Sequence, residues 1–441
     1  MSSRRDFIKK AAATTAGVSM ALKASSYNRI IGANDRINLS FMGLGRRVGA
    51  YYDALNKEYN TELMYLCDVK QSQIDRAMGD LKDRIKYTPK QTDDIRKVLE
   101  DKNVDAVFIA APDHWHAPGT IMALDAGKHV YVEKPCAHNP HEAEVMVARQ
   151  KSTGKMVQMG NQQRSSGHTN EIINEIHNGV IGKPYRAVAF YNNRRGEVPH
   201  QTKQAPPSDL NWALFQGPAP RQDYHDDIWN YNWHWYGWKW GTAEAGNNAI
   251  HELDIGRWAL GVDFPEHVHV QASKQNFEDD GWEMYDNMYA TYNFGDDKVI
   301  NWDGKSRNGY ATYGENKGRG TVIYGTEGTV FVDRGEYKLY DRKGDLIKES
   351  SEESDESGMA LGGGGSTSTR HIVNFFDAIR GEATLNAPIE DGAKSNHLAL
   401  LANIAYRTGK SFDLDPATGK AYDKDAMKLW SREYEPGWEI G

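Results

Sequence analysis

The sequence predicts a chain in two parts, an α/β half on a doubly wound parallel sheet and an α+β half on a large, mostly antiparallel open sheet. Two patterns carry this expectation. Between Arg36 and Gly160, short apolar runs alternate with helix-period segments, the rhythm of strand–helix–strand units. Beyond Gly160 the apolar runs alternate with polar residues and are rich in aromatics, with few helices between them, as in an antiparallel sheet with one solvated face.

In chain order, Ile37 to Met42 reads as a strand feeding a glycine turn, with a helix from about Arg46. Glu62 to Cys67 is the next strand, ended by Asp68. Helical segments near Gln71 to Leu81 and Asp93 to Leu99 precede a strand from Asp105 to Ala110. A helix from about His116 to Ala126 leads into the strand His129 to Val132, and a helix through Arg149 and a strand at Met156 to Met159 close this half. Downstream, strands are expected at Tyr185 to Tyr191, His267 to Ser273, Met288 to Phe294, Thr321 to Tyr324 and Thr329 to Val332. The acidic stretch Glu349 to Glu356 and the run Gly362 to Gly365 read as a connector. Two helices, Arg370 to Arg380 and Asp391 to Arg407, then pack back on the body. The expected boundaries are 1–35 for a leader and linker, 36–160 and 161–412 for the two halves, and 413–441 for a tail on the body.

At 441 residues the chain accommodates two domains, and a net charge of −8 gives no electrostatic basis for binding nucleic acid. Cys67 and Cys136 are the only cysteines, too few for a disulfide framework, and read as buried free thiols.

The residues with chemical potential lie at strand ends. Gly43 and Gly45 suit a tight strand-to-helix turn where backbone N–H groups approach a pyrophosphate, although the third glycine comes one residue late, at Gly49. Asp68 closes the second strand where a carboxylate accepts hydrogen bonds from an adenosine ribose; Arg46 and Arg47 face either a phosphate or solvent. Pro112 and the pair His114 and His116 follow the Asp105 to Ala110 strand. Their His-x-His spacing invites a metal, but no cysteine lies close by, so a loop or helix-capping role is expected and no metal site. Glu133-Lys134-Pro135 ends the strand at Val132 and fixes an ammonium group at the carboxyl edge of the sheet. Asn247, Ile250, His251 and Asp254 recur at spacings of three and four and share one helix face, with His251 able to take or give a proton near neutrality. The alternative is a structural pairing of His251 with Asp254. Half of the twelve tryptophans fall between Trp212 and Trp240, where Trp233 and Trp235 are interleaved with Asn, His and Lys, a mixture that suits a saccharide or the packing of a long insertion.

As a set, the glycine turn, the Ala-Pro loop with His116, Glu133-Lys134-Pro135, the His251-x-x-Asp254 helix, Gly325-Thr326-Glu327-Gly328 and the closing helix with Asn403 to Arg407 resemble the Gfo/Idh/MocA oxidoreductases. The resemblance implies a Rossmann domain, a C-terminal open sheet that serves substrate and oligomer contacts in a dimer or tetramer, bound NAD or NADP, and redox chemistry at a sugar or cyclitol carbon. It places Lys134 and His251 at the catalytic positions and Gly43, Gly45 and Asp68 on the cofactor. Beside these, Asn247 is expected with the catalytic pair, Arg46, Arg47, Pro112, His116, Glu133 and Lys134 along the cofactor, and Lys134, Trp233, Trp235, Asn247 and His251 beside the substrate. Asn247 departs from the aspartate that many dehydrogenases of the family carry there; an amide orients a hydroxyl but relays no proton charge.

The N-terminus resembles a twin-arginine export signal: Ser3-Arg4-Arg5-Asp6-Phe7 precedes an apolar stretch, Ala11 to Leu22, too short to span a bilayer, and Ala21-Leu22-Lys23-Ala24 offers a processing site. That implies contact with the twin-arginine machinery and a periplasmic or otherwise exported location. Away from the cytosolic nucleotide pool, a nicotinamide enzyme has to hold its cofactor tightly and recharge it within the cycle. Three readings stay open: an oxidoreductase acting on a sugar or glycoside hydroxyl, a redox-neutral glycosidase or lyase that oxidises, eliminates and reduces, and a non-catalytic saccharide-binding protein.

Overall fold

A computed structural model describes residues 35–228, 231–311, 313, 316–351 and 366–441. The export-like segment, Trp229, the run Gly362 to Gly365 and most of the acidic stretch before it lie outside the described residues.

Six strands form the first sheet: β1 (Ile37–Met42), β2 (Thr61–Cys67), β3 (Lys90–Thr92), β4 (Ala106–Ile109), β5 (His129–Val132) and β6 (Val157–Met159). Their order, β3-β2-β1-β4-β5-β6 with every pair parallel, reverses between β1 and β4, which opens a crevice at the carboxyl ends of those two strands. Helices α1 (Gln71–Leu81), α2 (Ile95–Glu100), α3 (Asp113–Asp125) and α4 (Pro140–Thr153) make the crossovers. The helix expected from Arg46 is instead a 3₁₀ segment, Val48–Leu55. Gly49, Val48 and the pair Tyr51-Tyr52 are weak helix formers, and three of these four, Val48, Tyr51 and Tyr52, are held by burial rather than by propensity. The turn at Gly43 therefore leads into a segment without an aligned α-helical dipole, leaving anion binding there to individual N–H groups and side chains. His114 and His116 lie in the first turn of α3 rather than on a loop.

After α5 (Gly167–His177) the chain enters a nine-stranded sheet containing β7 (Pro184–Asn192), and continues through the short α6 (Trp212–Gln216) and α7 (Ile250–Leu260). The remaining strands are β8 (His267–Ser273), β9 (Asn287–Phe294), β10 (Lys298–Lys305), β11 (Arg319–Gly325), β12 (Gly328–Val332), β13 (Glu336–Asp341), β14 (Leu346–Ser351) and, after α8 (Ser366–Arg380) and α9 (Ile389–Thr408), β15 (Phe412–Asp413). Only β10 and β7 pair in parallel; every other pair is antiparallel. The sequence reading missed β10, β13 and β14, as well as the short β3 and β15. Lys298–Lys305 mixes Asn, Asp and Gly with its apolar residues, and Leu346–Ser351 is a polar edge strand, so neither shows clean alternation. Glu349 belongs to β14 and not to a connector.

α7 packs on β7 and β11, and α9 on α7 and β8, so one face of the large sheet is covered by the two helices that carry or brace the site. α8 turns back to the first sheet. Ile372, Phe375 and Phe376 are buried in the same core as Phe41, Phe108 and Tyr131, with Phe375 edge-on to Phe108 at 5.8 Å. Burying each of these side chains contributes about 2 kcal/mol. The last residues, with α10 (Lys424–Lys428), lie along α3 and α4: Arg432 Nε donates to the wholly buried Glu142 carboxylate at 2.8 Å, and Trp438 packs edge-on against Trp115. Cys67 and Cys136 are buried and unpaired. No helix among the described residues is long and apolar enough to cross a membrane.

Candidate active site

A cavity of about 530 Å³ runs from the crevice between β1 and β4 to the inner face of α7, and it collects residues from both sheets. At its first end, Gly43 has φ +85°, and a Cβ there would lie 2.5 Å from the main-chain nitrogen of Ala111. Only glycine permits that close approach of the two strand ends. A Cβ on Gly45 would meet nothing within 4 Å and would project into free space. The Asp68 carboxylate accepts from the Leu44 N–H at 2.6 Å and the Lys70 N–H at 2.8 Å, so the end of β2 and the glycine turn brace each other. Burial pushes this carboxyl up to about 6, short of neutralising it at pH 7. Arg47 does not face solvent: its Nε donates to Glu133 at 2.7 Å, and Tyr51 also donates to that carboxylate. Burial works against the Glu133 anion, but Arg47 outweighs it and the carboxyl is held below its ordinary value. Glu133 thus carries the glycine turn rather than presenting a free anion.

These residues fit a dinucleotide. The Asp68 carboxylate suits ribose hydroxyls, the Gly43–Gly45 turn gives main-chain access, and His116 lines the cavity with a buried Nε2 that has no partner, its Nδ1 being used on the Pro135 carbonyl at 2.6 Å. His116 and Pro112 both line the cavity as expected, but neither histidine caps α3; His114 Nε2 bonds the Phe215 carbonyl at 2.8 Å, and burial pushes its ring down to about 3. Among the described residues no cluster of histidine, cysteine or carboxylate groups is arranged to hold a metal ion.

Lys134 and His251 meet at the other end. Lys134 precedes a cis peptide bond to Pro135, and its Nζ donates to the Asn247 carbonyl oxygen at 2.7 Å. That carbonyl belongs to a π-helical turn, Ala245–Ala249, inserted at the start of α7 where the sequence suggested regular helix. The wider turn takes carbonyls off the ordinary ladder, and one of them holds the ammonium. Thr242 and Asp113 seat the turn: the Asp113 carboxylate accepts from the Thr242 N–H at 3.0 Å and its hydroxyl at 2.6 Å. Burial brings the Lys134 amine down to about 8, with Glu133 and Asp113 opposing the shift.

His251 is 8% exposed, and among the described residues its imidazole makes no hydrogen bond. Burial, and after it Arg334, Lys134, Arg319 and Arg47, hold it well below its ordinary value, so it is a neutral ring able to accept a proton. It does not pair with Asp254. That carboxylate takes both Arg164 bonds, at 2.8 and 2.7 Å, and the Ser395 hydroxyl. The Asn247 Nδ2 donates to Tyr231 at 3.1 Å while its Oδ1 accepts from Lys134 at 3.5 Å, so the shorter hold on Lys134 is through the main chain, at 2.7 Å.

Trp233 lines the cavity, stacked on His234 at 3.6 Å. Trp235, expected beside it, does not: it is 1% exposed and stacked on Trp282 at 3.9 Å, so it is core. The residues in a Trp-x-Trp run at this turn point in opposite directions, one outward and one inward. Sequence reading missed Tyr231, whose ring lies under Arg46 at 5.2 Å and Arg195 at 5.6 Å, and the buried pairs Arg195–Glu244 and Arg319–Glu252. These are contacts between positions 49 and 67 residues apart, for which no local spacing gives a signal.

The fold and this site define a class, and the sequence assigns the chain to it. Residues 37–161 match the oxidoreductase family with an NAD-binding Rossmann fold, Gfo/Idh/MocA, and residues 173–413 match its C-terminal alpha/beta domain. The chain belongs to this family of NAD-dependent oxidoreductases. A glycosyl hydrolase family 109 protein of Shewanella sp. (strain W3-18-1) is 29% identical over 223 residues, covering 45% of this chain and 49% of that protein. An alpha-N-acetylgalactosaminidase of Shewanella oneidensis is 27% identical over the same shares. The chain spans about half the length of these curated relatives. Among solved structures, the aldose-aldose oxidoreductase of Caulobacter crescentus in complex with glycerol shares the fold at TM-score 0.61 and 18% identity, over 86% of this chain and all of the other. A levoglucosan dehydrogenase in complex with NADH and levoglucosan does so at TM-score 0.63 and 18% identity, over 86% of this chain and 99% of the other.

Proposed function

We propose that the protein oxidises a hydroxyl of a sugar or glycoside with an NAD that it retains and recycles within its own catalytic cycle. The observation that carries this reading is the meeting of Lys134 and the neutral His251 in the cavity that begins at the glycine turn. When bound, the nicotinamide takes the hydrogen and its electron pair from the carbon bearing the hydroxyl, and returns them to an acceptor. His251 takes the hydroxyl proton, and protonated Lys134, anchored by one of its N–H bonds, uses the others to stabilise the oxygen as charge develops. Trp233 offers an apolar face to the ring C–H groups. Asp68 favours NAD over its 2′-phosphorylated form, because a carboxylate repels a phosphate there. Export through the twin-arginine pathway, suggested by Arg4 and Arg5, fits retention, since the exported enzyme has no free nucleotide to draw on.

The relatives named as glycosyl hydrolase family 109 proteins favour a second reading, redox-neutral cleavage. In it the ketone formed by oxidation acidifies the neighbouring C–H, the glycosidic bond eliminates, water adds to the double bond, and the hydrogen and electron pair return to the ketone. The protein purified without added nucleotide is expected to release near-stoichiometric NAD(H) on denaturation, read by mass spectrometry. With nitrophenyl glycosides, free nitrophenol without lasting change at 340 nm identifies cleavage. A lasting rise with a sugar, discharged by a second sugar, identifies net oxidation. Absence of both, and of nucleotide, would overturn the proposal in favour of a saccharide-binding protein.

A further inference from the structure

One segment of the second half lies across the strand ends of the first. After Pro206 and Pro207, which favour extended backbone, residues 209–211 run antiparallel to the chain just beyond β2, with Lys70 and Leu210 as bridge partners. The Gln71 N–H donates to the Asp209 carbonyl at 2.9 Å, and the Asn211 N–H to the Val69 carbonyl at 2.8 Å. Side chains add two ties: Lys70 Nζ to Asp209 at 2.9 Å, and Asn211 Nδ2 to the Asp93 carboxylate, beyond β3, at 2.8 Å. The far end of the segment is pinned to the first turn of α3, where Trp115 Nε1 donates to the Phe215 carbonyl at 2.9 Å and His114 Nε2 bonds the same oxygen at 2.8 Å. That end is fixed. Phe215 is buried, a Cβ on Gly217 would fall 2.0 Å from the Trp115 ring, and the tail backs the segment through the Glu435 N–H, which donates to the Pro218 carbonyl at 3.1 Å. The near end differs, since residues 202–206 and Ser208 are exposed. Between the two pins, Leu210, Leu214 and Phe215 line the cavity at the end that holds Asp68 and Ile95.

We propose that this strap, Asp209 to Phe215, covers the adenosine end of bound NAD, and that the nucleotide exchanges only when the bridge between Lys70 and Leu210 parts. The inference rests on the reading of the cavity as a dinucleotide site and supplies a cause for the retention proposed above. In an open α/β sheet the crevice beyond the strand ends faces outward, and here the cover comes from the other half of the chain. Asp68, the carboxylate suited to the ribose, directly precedes the strapped residues Val69 to Gln71, so the base beside that ribose meets the strap. A purine has apolar faces and a polar edge, matching a wall of Leu210, Leu214 and Ile95 with the carboxylates of Asp93 and Asp94 in the same lining. Taking those faces out of water favours the closed strap, so ligand and strap hold each other. Opening breaks two main-chain bonds, an ion pair and an amide–carboxylate bond together, because all four lie on one short run fixed at its other end. The movement this allows is a flap hinged at α6 and lifting from the exposed side at Ser208.

Nucleotide exchange, not turnover, is the test. Lys70 and Leu210 face each other without main-chain bonds between them, a pairing that sets their Cα atoms about 4.5 Å apart, within disulfide range. The protein carrying both Lys70→Cys and Leu210→Cys is loaded with NAD and then oxidised. Replacement by isotope-labelled NAD is followed by mass spectrometry of the nucleotide released on denaturation. Cys67 and Cys136 stay out of the reaction, being buried with thiols that burial pushes up. Oxidation is expected to slow exchange about tenfold or more, and reduction to restore it. Asp209→Lys, which sets a second ammonium opposite Lys70, should speed exchange about fivefold or more in the otherwise unchanged protein. One exchange rate for the oxidised and reduced forms, or no acceleration in Asp209→Lys, would overturn the inference. If the wild-type protein keeps its NAD for hours while the crosslink changes nothing, retention stands and the strap is not its cause. If the wild-type protein exchanges within seconds and the crosslink slows it, the strap is supported and retention is overturned. A protein that takes up no NAD at all overturns both.

Discussion

Lys134 owes its chemistry to two opposing influences on one amine: burial, which discharges it, and the carboxylates of Glu133 and Asp113, which keep it charged. With the amine brought to about 8, activity that needs the ammonium is expected to fall as pH rises through about 8. Asp113→Asn removes an anion that favours the charged form, so the falling limb should move to lower pH while the amide still accepts from Thr242. A pH–rate profile of the two proteins checks the sign; an unmoved limb would mean that another group sets it. His251, already neutral well below 6.5, should add no limb between pH 6.5 and 8. Replacing Lys134 by Ala should lower turnover by roughly 10²–10⁴-fold, the range for a positioned proton-handling group, while the bound nucleotide measured by mass spectrometry stays. At this scale the sequence was informative where a residue acts from a strand end or a helix face, as with Asp68, Lys134 and His251. It was silent on Arg195, Arg319 and Tyr231, whose partners are distant in the chain, and it misplaced Trp235 because alternate positions of one aromatic run face core and cavity.

Among the elements, the π-helical turn at Ala245–Ala249 is the one that regular periodicity could not reveal, because a single extra residue per turn leaves the flanking apolar pattern intact. Its tolerance is narrow. A Cβ on Gly246 would fall 1.8 Å from Thr242 Oγ1 and 3.2 Å from Pro135 Cγ, so Gly246→Ala has to displace either the threonine held by Asp113 or the proline that follows Lys134. We expect about 1–3 kcal/mol of lost stability and a disproportionate loss of turnover, with nucleotide content preserved. Thermal unfolding read beside the nucleotide ratio checks this; a variant of normal turnover would show that the turn adapts. The strands of the first sheet were legible because buried parallel strands read as apolar runs. β10 and β14 were not, because a mixed strand and a polar edge strand have no clean period.

The molecule as a whole stores a set of neutral buried histidines that set its acid stability. Burial brings His129, His371 and His397 to about 4 and His114 to about 3, against 6.5 when unfolded. Between these values the unfolded chain binds more protons than the native one, so stability is complete above pH 6.5 and falls as pH drops toward 4. Asp68, raised to about 6, and Asp113, also raised by burial, work in the opposite direction, while His138, His234 and His251, all held well below the ordinary value, add to the histidine effect. Melting temperatures measured from pH 7.5 to 4.5 should decline through this window at constant ionic strength; a flat profile would mean that these rings are hydrated and titrate normally. One consequence concerns the order of synthesis. The first sheet is made early, yet the aromatic cluster of Phe41, Phe108 and Tyr131 is closed by Phe375 and Phe376, which leave the ribosome more than two hundred residues later. The nucleotide-binding half therefore matures only when the polypeptide is nearly finished, and until then its apolar underside is a client surface for chaperones rather than a completed domain.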